Sequence, residues 1–309
     1  MFSIIPANSQ SGLKPTQKGL IAFGENAGDP YKTNGRILIN SSGVLALYTS
    51  GAGDLKRGNA GAGYGYDKGI CAYGYTSSVI NTKNLVNNEG VVSADTTGAG
   101  TARMNMQATT YGGDKAIFAY GNNGATKYNV SNLVSNTGVL ATDTAGVGTA
   151  STNKGAVTYG TTGQAIFAFG NSGSYINTRN LVSNTGVISS DTAGAGTAQQ
   201  QHQGTRYGTG LAIFAFGYNG SDLSTSNLLS NTGVIATDVT GVGTGAYGKT
   251  ASSFGGDKGI FYGGRSEGLE TYLTESNIVS NTGVVASSVA NSGNTSLVSS
   301  AGLGYSQSA

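Results

Sequence analysis

One phrase returns six times along the chain, and its clearest copies read DKAIFAYGNNGATKYNVSNLVSNTGVLATDTAGVGT from Asp114 and AIFAFGNSGSYINTRNLVSNTGVISSDTAGAGT from Ala165. The glycine of its Ser-Asn-Thr-Gly turn, or of that turn's variants, stands at Gly43, Gly90, Gly138, Gly186, Gly233 and Gly283, spaced by 47, 48, 48, 47 and 50 residues. A second landmark, the glycine after an aromatic, stands at Gly24, Gly74, Gly121, Gly170, Gly217 and Gly264, spaced by 50, 47, 49, 47 and 47. Two landmarks on one beat define a repeat architecture, in which each unit buries its apolar face only against its neighbours.

Within the third copy, two short apolar runs flank Gly112-Gly113-Asp114 and end at Gly121, which reads as a hairpin because glycine supplies the positive φ of tight turns. A third strand follows over Tyr128 to Val134. Asn136-Thr137-Gly138 reverses the chain, and Val139 to Thr142 reads as a fourth strand ending at Asp143. The Gly, Ala, Thr and Ser stretch that follows is a connector. No segment carries apolar residues at helical spacing over three turns.

Four antiparallel strands per unit cannot bury both faces alone. Stacked radially they can, so the expected fold is all-β, a six-bladed β-propeller of four-stranded antiparallel blades. The repeats run over about 18–66, 67–113, 114–161, 162–209, 210–256 and 257–309, with residues 1–17 as an N-terminal arm. Ala22, Ala72, Ala119, Ala168 and Ala215 hold one register position between large residues, and Cys71 stands where Phe118 and Phe167 stand in other copies, as a small buried hydrophobe. The chain begins in mid-repeat. Its missing first strand is found at the other end, so Ser296–Tyr305 is expected antiparallel beside Lys18–Phe23, closing the ring by pairing of N- and C-terminal strands.

The 52 glycines in 309 residues exceed the usual ~7% more than twofold, and a steady strand pattern assigns them to turns. Charged residues make up 10% and the formal net charge is +2, so clustered Lys and Arg for nucleic acid are absent. One cysteine excludes an intrachain disulfide and any multi-thiolate metal site. No run approaches the ~20 apolar residues of a membrane-spanning helix.

Chemistry-bearing residues are few. The single histidine, His202, lies in a polar connector and reads as a surface residue. Asp95, Asp143, Asp191 and Asp238 recur where the fourth strand ends; a ring of carboxylates could bind cations, but the preferred reading is a cap on the Gly-rich loop. Repeats one and six carry Tyr48 and Ser288 there instead. With Gly90, Gly138, Gly186, Gly233 and Gly283, these aspartates are structural turn and cap residues. Glu267, Glu270 and Glu275 occur only in the sixth repeat and decorate one edge. No catalytic residue, cofactor or metal is expected. The variable residues around Arg103, Ser151 to Lys154, Gln199 to Gln203, Tyr247 to Lys249 and Arg265 to Thr274 are expected to form a contact surface of unlike loops.

The phrases NLVSNTGVLATDTAGVGT (Asn132 to Thr149) and GGDKAIFAYG (Gly112 to Gly121) resemble a repeat of tailed-phage structural proteins and marine viral sequences, over Lys18 to about Gly304. Those repeats are regarded as kelch-like β-propellers of tail, appendage or particle-surface components. Gly112-Gly113 and Gly255-Gly256 match the kelch double glycine, while the tryptophan that kelch repeats pair with it is absent from this chain. The resemblance implies a non-enzymatic virion structural protein mediating protein–protein or host-surface contact. Its partners would be other virion proteins, including further copies of itself within the particle, with a host-surface glycan or protein as a further partner. A carbohydrate-binding, lectin-like propeller is the alternative. With no secretory signal legible in MFSIIPANSQSGLKPTQKG, localisation to the virion after synthesis in the host cytoplasm is expected. Phe2, Ile4 and Ile5 form an apolar tip on the arm and are expected to dock on a partner; each would gain about 1.5–3 kcal/mol on burial.

Overall fold

The computed structural model describes residues 16–28 and 31–308. Phe2, Ile4 and Ile5, the expected docking tip, lie outside the described residues. Those described form an all-β chain of 21 strands without a helix, in small antiparallel sheets.

The first sheet centres on β1 (Lys18–Gly24), flanked by β2 (Thr33–Ile39) and by the last strand of the chain, β21 (Ala301–Tyr305). Four sheets then repeat one meander. They comprise β3 (Ala60–Tyr64), β4 (Lys68–Tyr75) and β5 (Val79–Val86); β6 (Gln107–Tyr111), β7 (Lys115–Ala119) and β8 (Ser131–Val134). Next come β9 (Gly155–Tyr159), β10 (Gln164–Ala168) and β11 (Arg179–Val182), then β12 (Gln203–Tyr207), β13 (Leu211–Tyr218) and β14 (Asp222–Leu229). The sixth joins β15 (Thr250–Phe254), β16 (Lys258–Tyr262), β19 (Glu275–Val279) and β20 (Val289–Ala290). A separate ribbon of β17 (Arg265–Ser266) and β18 (Thr271–Tyr272) interrupts it.

The central strand of each sheet is buried on both faces because sheets cover it from either side, which explains continuous apolar runs such as Ala116-Ile117-Phe118-Ala119. Six apolar clusters form, each between two neighbouring sheets. Tyr73 and Ile70 meet Phe118 and Met106 across one seam, and Ile21 and Ile37 meet Ile260 and Tyr262 across the seam between first and sixth. Cys71 packs with Leu20, Ala22 and Ala301, and burial pushes its thiol up to about 12.

The turn glycines do two jobs at once. Gly138 has φ +82°, and a Cβ there would lie 2.8 Å from the ring of Tyr64 in the preceding sheet. Gly90 meets Tyr305, Gly186 Tyr111, Gly233 Tyr159, Gly283 Tyr207 and Gly43 Phe254 in the same way. Each turn therefore sits on the aromatic ending a neighbouring first strand, and only glycine allows both the conformation and the approach.

The expected fourth strand does not form in any repeat: five sheets have three strands, and the fourth strand of the sixth, β20 at Val289–Ala290, lies beyond the Val284 to Ser287 that correspond to Val139 to Thr142. In the third repeat, the segment after Gly138 touches β8 at two isolated bridges, Val134 to Leu140 and Ser131 to Thr144. The physical reason is a mismatch of length: between these bridges the outer segment spends four residues, Leu140 to Thr144, against three on β8, Ser131 to Val134, so the ladder is broken as at a bulge. Across the gap the Asn132 amide donates to the Ala141 carbonyl at 3.0 Å and to Asp143 Oδ1 at 2.9 Å. Asn84, Asn180, Asn227 and Asn277 make the same bond to Ser93, Ser189, Ala236 and Ala286.

The termini pair antiparallel as expected, with Lys18 opposite Tyr305, Leu20 opposite Leu303 and Ala22 opposite Ala301. The first strands of successive sheets pack side by side: β21 against β3, β3 against β6, β6 against β9, β9 against β12, β12 against β15, and β15 against β21. At one end of these strands, backbone N–H groups reach the next sheet in order. Gly65 donates to Asp114, Gly112 to Gly163, Gly160 to Gly210, Gly208 to Asp257, Gly255 to Gln17 and Ser306 to Asp67. Each sheet is itself open, but this succession returns to its start.

Candidate functional site

The recurring aspartates stand at the seams. Asp143 Oδ2 accepts the Thr101 backbone N–H at 3.0 Å and the Thr101 hydroxyl at 2.6 Å; Asp191 receives the same pair from Thr149, and Asp238 from Thr197. Asp95 accepts from the backbone N–H of Asp54. Each carboxylate thus holds the Gly-rich loop of the preceding repeat, some forty residues earlier, rather than its own. Partial burial raises these carboxyls, but hydrogen bonds from threonine and asparagine outweigh it for Asp143, Asp191 and Asp238, leaving them below the usual range.

Behind each carboxylate lies a buried group, of which the sequence had placed Arg103, Lys154 and His202 on the surface. Arg103 is fully buried, with its guanidinium 4.6 Å from the Tyr73 ring centroid. It donates to Asn132 Oδ1 at 2.5 Å and to the Tyr120 carbonyl at 2.8 Å, and lies 3.5 Å from Asp143 Oδ1. Lys56 covers Phe23 at 4.7 Å, bonds Asn84 at 2.8 Å and pairs with Asp95. Lys154 lies over Tyr120 and Lys249 over Phe216, each 3.3 Å from an asparagine, Asn180 or Asn277. Burial pulls both lysines down to about 8. Every one of these cations rests on an aromatic ring of the neighbouring sheet, a contact that strengthens as water is excluded.

The expectation of outward-facing connectors is therefore corrected for Arg103, Ser151, Lys154, Gln199, His202 and Lys249, which are buried. Their least regular residues point inward because two positions, one and four residues before the first strand, can each deliver a cation to one socket. Lys56 and Arg103 use the earlier position; Lys154 and Lys249 use the later one, and Ser151 and Ala246 stand at the earlier. Alternation of position hid a common role.

His202 is likewise a correction. It is fully buried, 4.4 Å from the Phe169 ring centroid and 5.3 Å from that of Phe214, in the socket that Lys154 and Lys249 fill elsewhere. Desolvation pulls its pKa down to about 3, so the ring is neutral at physiological pH. Imidazole is shorter than a lysine. Both its nitrogens, and the Asn227 Oδ1 that a cation would have reached, are buried without hydrogen-bond partners.

A second arrangement is exposed and breaks the repeat. Tyr175 and Tyr218 meet edge to face at 6.2 Å, and Tyr218 meets Tyr247 at 5.5 Å. Arg265 on β17 donates to the Tyr247 hydroxyl at 3.1 Å and lies over Tyr272 on β18. Tyr272 donates to Glu25 at 2.9 Å; Arg57 donates to the same carboxylate at 2.6 Å and lies over Tyr75. This arc of half-exposed rings and charges runs from the fourth sheet through the fifth, sixth and first to the second. Asp222 fixes the ribbon beneath it, accepting from the Ser266 hydroxyl and the Gly268 N–H, both at 3.0 Å. At the position after the aromatic-glycine, sheets three and four carry only Asn122 and Asn171. The signal available in sequence was that position, where Glu25, Tyr75, Tyr218 and Arg265 differ from copy to copy; their adjacency was not legible.

The residue after each turn glycine, Val44, Val91, Val139, Val187, Val234 or Val284, is exposed in all six repeats. Among the described residues, no three His, Cys, Asp or Glu side chains come together as metal ligands. Among the described residues no helix is long and apolar enough to cross a membrane. No family model matches the chain, and no curated protein matches its sequence.

Proposed function

We propose that the chain is a six-bladed β-propeller serving as a non-enzymatic structural module of a bacteriophage particle, through which the particle contacts its own proteins or the host surface. The cyclic packing of first strands, the pairing of the termini and six clusters at six seams support the propeller. The phage assignment rests on the resemblance of the repeat phrases alone.

The observation carrying the contact role is the arc from Tyr175 to Tyr75. Tyrosine and arginine are the residues that dominate binding energy at protein interfaces, since they offer large, stiff, amphipathic area at low entropic cost. Meanwhile Arg103, Lys56, Lys154, Lys249 and their aspartates serve as struts between sheets, which leaves little chemistry for turnover. The exposed valines offer a second, symmetric set of contacts suited to neighbouring copies. Half-exposed tyrosine faces also favour the alternative, a glycan-binding surface, but as one arc rather than six equivalent pockets.

Cross-linking mass spectrometry on intact particles of the encoding phage tests this reading. Lys32, which lies over Tyr75 at the end of the arc, should cross-link to another virion protein. A chain missing from purified particles would overturn the assignment. Calorimetric binding of a free sugar, lost in Tyr218→Ala, would move the reading to the lectin.

A further inference from the structure

The six first strands line a cavity of about 100 Å³ along their common axis, open to solvent. One residue before the aromatic that ends each strand, they place Gly63, Thr110, Thr158, Arg206, Ser253 and Gly304, all of which line it. Five of the six are glycine or carry a hydroxyl. The sixth is an arginine.

Among the described residues Arg206 has no counter-charge. No carboxylate lines the cavity, no ion pair to Arg206 occurs among the described residues, and its Nε is buried without a hydrogen-bond partner. The segment that precedes Thr16 at the cavity wall contains no Asp or Glu in residues 1–15, so it brings no carboxylate either. Nearby hydroxyls are engaged with the wall: Thr110 donates to the Gly63 carbonyl at 2.9 Å, Thr158 to that of Thr110 at 2.6 Å, and Ser253 pairs with Thr16 at 2.9 Å. The four buried cations Lys56, Arg103, Lys154 and Lys249 each have an aromatic ring beneath them and an asparagine in front. Arg206 has neither among the described residues.

We propose that the axial cavity is a binding site for a small inorganic oxyanion of the size of phosphate or sulfate, held by the Arg206 guanidinium. The planar fork matches an oxyanion through two parallel N–H···O bonds, which are strong where water is scarce. The volume is several times the roughly 10–15 Å³ of probe-occupied space that one water needs, and so admits such an ion. Desolvation without compensation pulls the Arg206 pKa down to about 10, and an anion would reverse that effect.

Phosphate titration of the full chain tests the site, with ³¹P line broadening and thermal melting read at constant ionic strength. Wild type should bind phosphate and melt higher in it than in chloride, while Arg206→Gln should lose at least about tenfold in affinity and all of the melting shift. Arg206→Gln should also melt no lower than wild type in chloride, because it removes an uncompensated charge. Should Arg206→Gln fail to fold, Arg206→Lys must bind phosphate more weakly than wild type, since the two-pronged fork is gone. No binding by wild type up to about 20 mM, or equal binding by the variants, overturns the proposal.

Discussion

Four seams between neighbouring sheets seat a buried cation on an aromatic ring, one seats His202 there instead, and the seam that joins the sixth sheet to the first is apolar. At the seam joining the second and third sheets, Arg103 lies on Tyr73 and bonds Asn132, which bonds Asp143. Where the sixth sheet meets the first, Leu297 stands in place of the cation, Ile37 in place of the asparagine and Tyr48 in place of the aspartate, and these pack with Tyr262. The whole polar set is exchanged together for an apolar one of similar bulk. Burying an ion pair gives little net stability over well-packed hydrophobes, because desolvation offsets the attraction, whereas a half-exchanged set leaves a charge or a dipole stranded. The seam is thus indifferent to polarity and intolerant of mixture. His202 is the natural example of a mixture, with Asn227 Oδ1 left unbonded.

The largest expected effect comes from mixing sets deliberately. Arg103→Ala should cost about 3–5 kcal/mol in chemical denaturation, since it strands Asn132 Oδ1 and opens a cavity. The triple replacement Arg103→Leu, Asn132→Ile and Asp143→Tyr copies the sixth seam and should recover most of that loss. A triple variant no more stable than Arg103→Ala would break the equivalence of the two kinds of seam.

Turn glycines should not distinguish them, because Gly138 and Gly43 pack on Tyr64 and Phe254 with φ of +82° at both. Gly138→Ala and Gly43→Ala should each cost about 2–3 kcal/mol, combining left-handed strain with an aromatic clash. Gly124→Ala, at φ +98° with nothing within 4 Å of its Cβ, should cost only about 1 kcal/mol. Equal losses at all three would remove the packing half of the argument.

Acid should weaken the fifth socket specifically. His202 is held near 3 in the folded protein against about 6.5 in the unfolded chain. The unfolded state therefore binds the extra proton, and stability is lost as pH falls from about 6.5, by up to ~1.4 kcal/mol per pH unit. Urea melts between pH 7 and pH 5 read this directly, and the slope should be shallower in His202→Lys. The same variant supplies the donor that Asn227 lacks, and should gain about 1 kcal/mol at pH 7. A loss there would mean that the socket around Phe169 and Phe214 is too narrow for a lysine.

The repeat phrase determined a good deal by itself. The beat of Gly43 through Gly283, the apolar second strands and a displaced first strand within Ser296–Tyr305 were all legible, because period and alternation are local properties of a chain. Outer strands were over-read: Val139 to Thr142 has strand composition, but an extra residue between its bridges to Val134 and Ser131 breaks the ladder. Tertiary structure alone decided what the irregular residues do. Arg103 and Lys154 occupy different positions in their repeats yet reach corresponding sockets, and His202 looks solvated among glutamines yet is buried between two phenylalanines. The arc joins Tyr175, Arg265 and Glu25 from three sheets. Such groupings depend on distances between chain segments forty or more residues apart, and a burial environment is a property of the neighbours rather than of the residue.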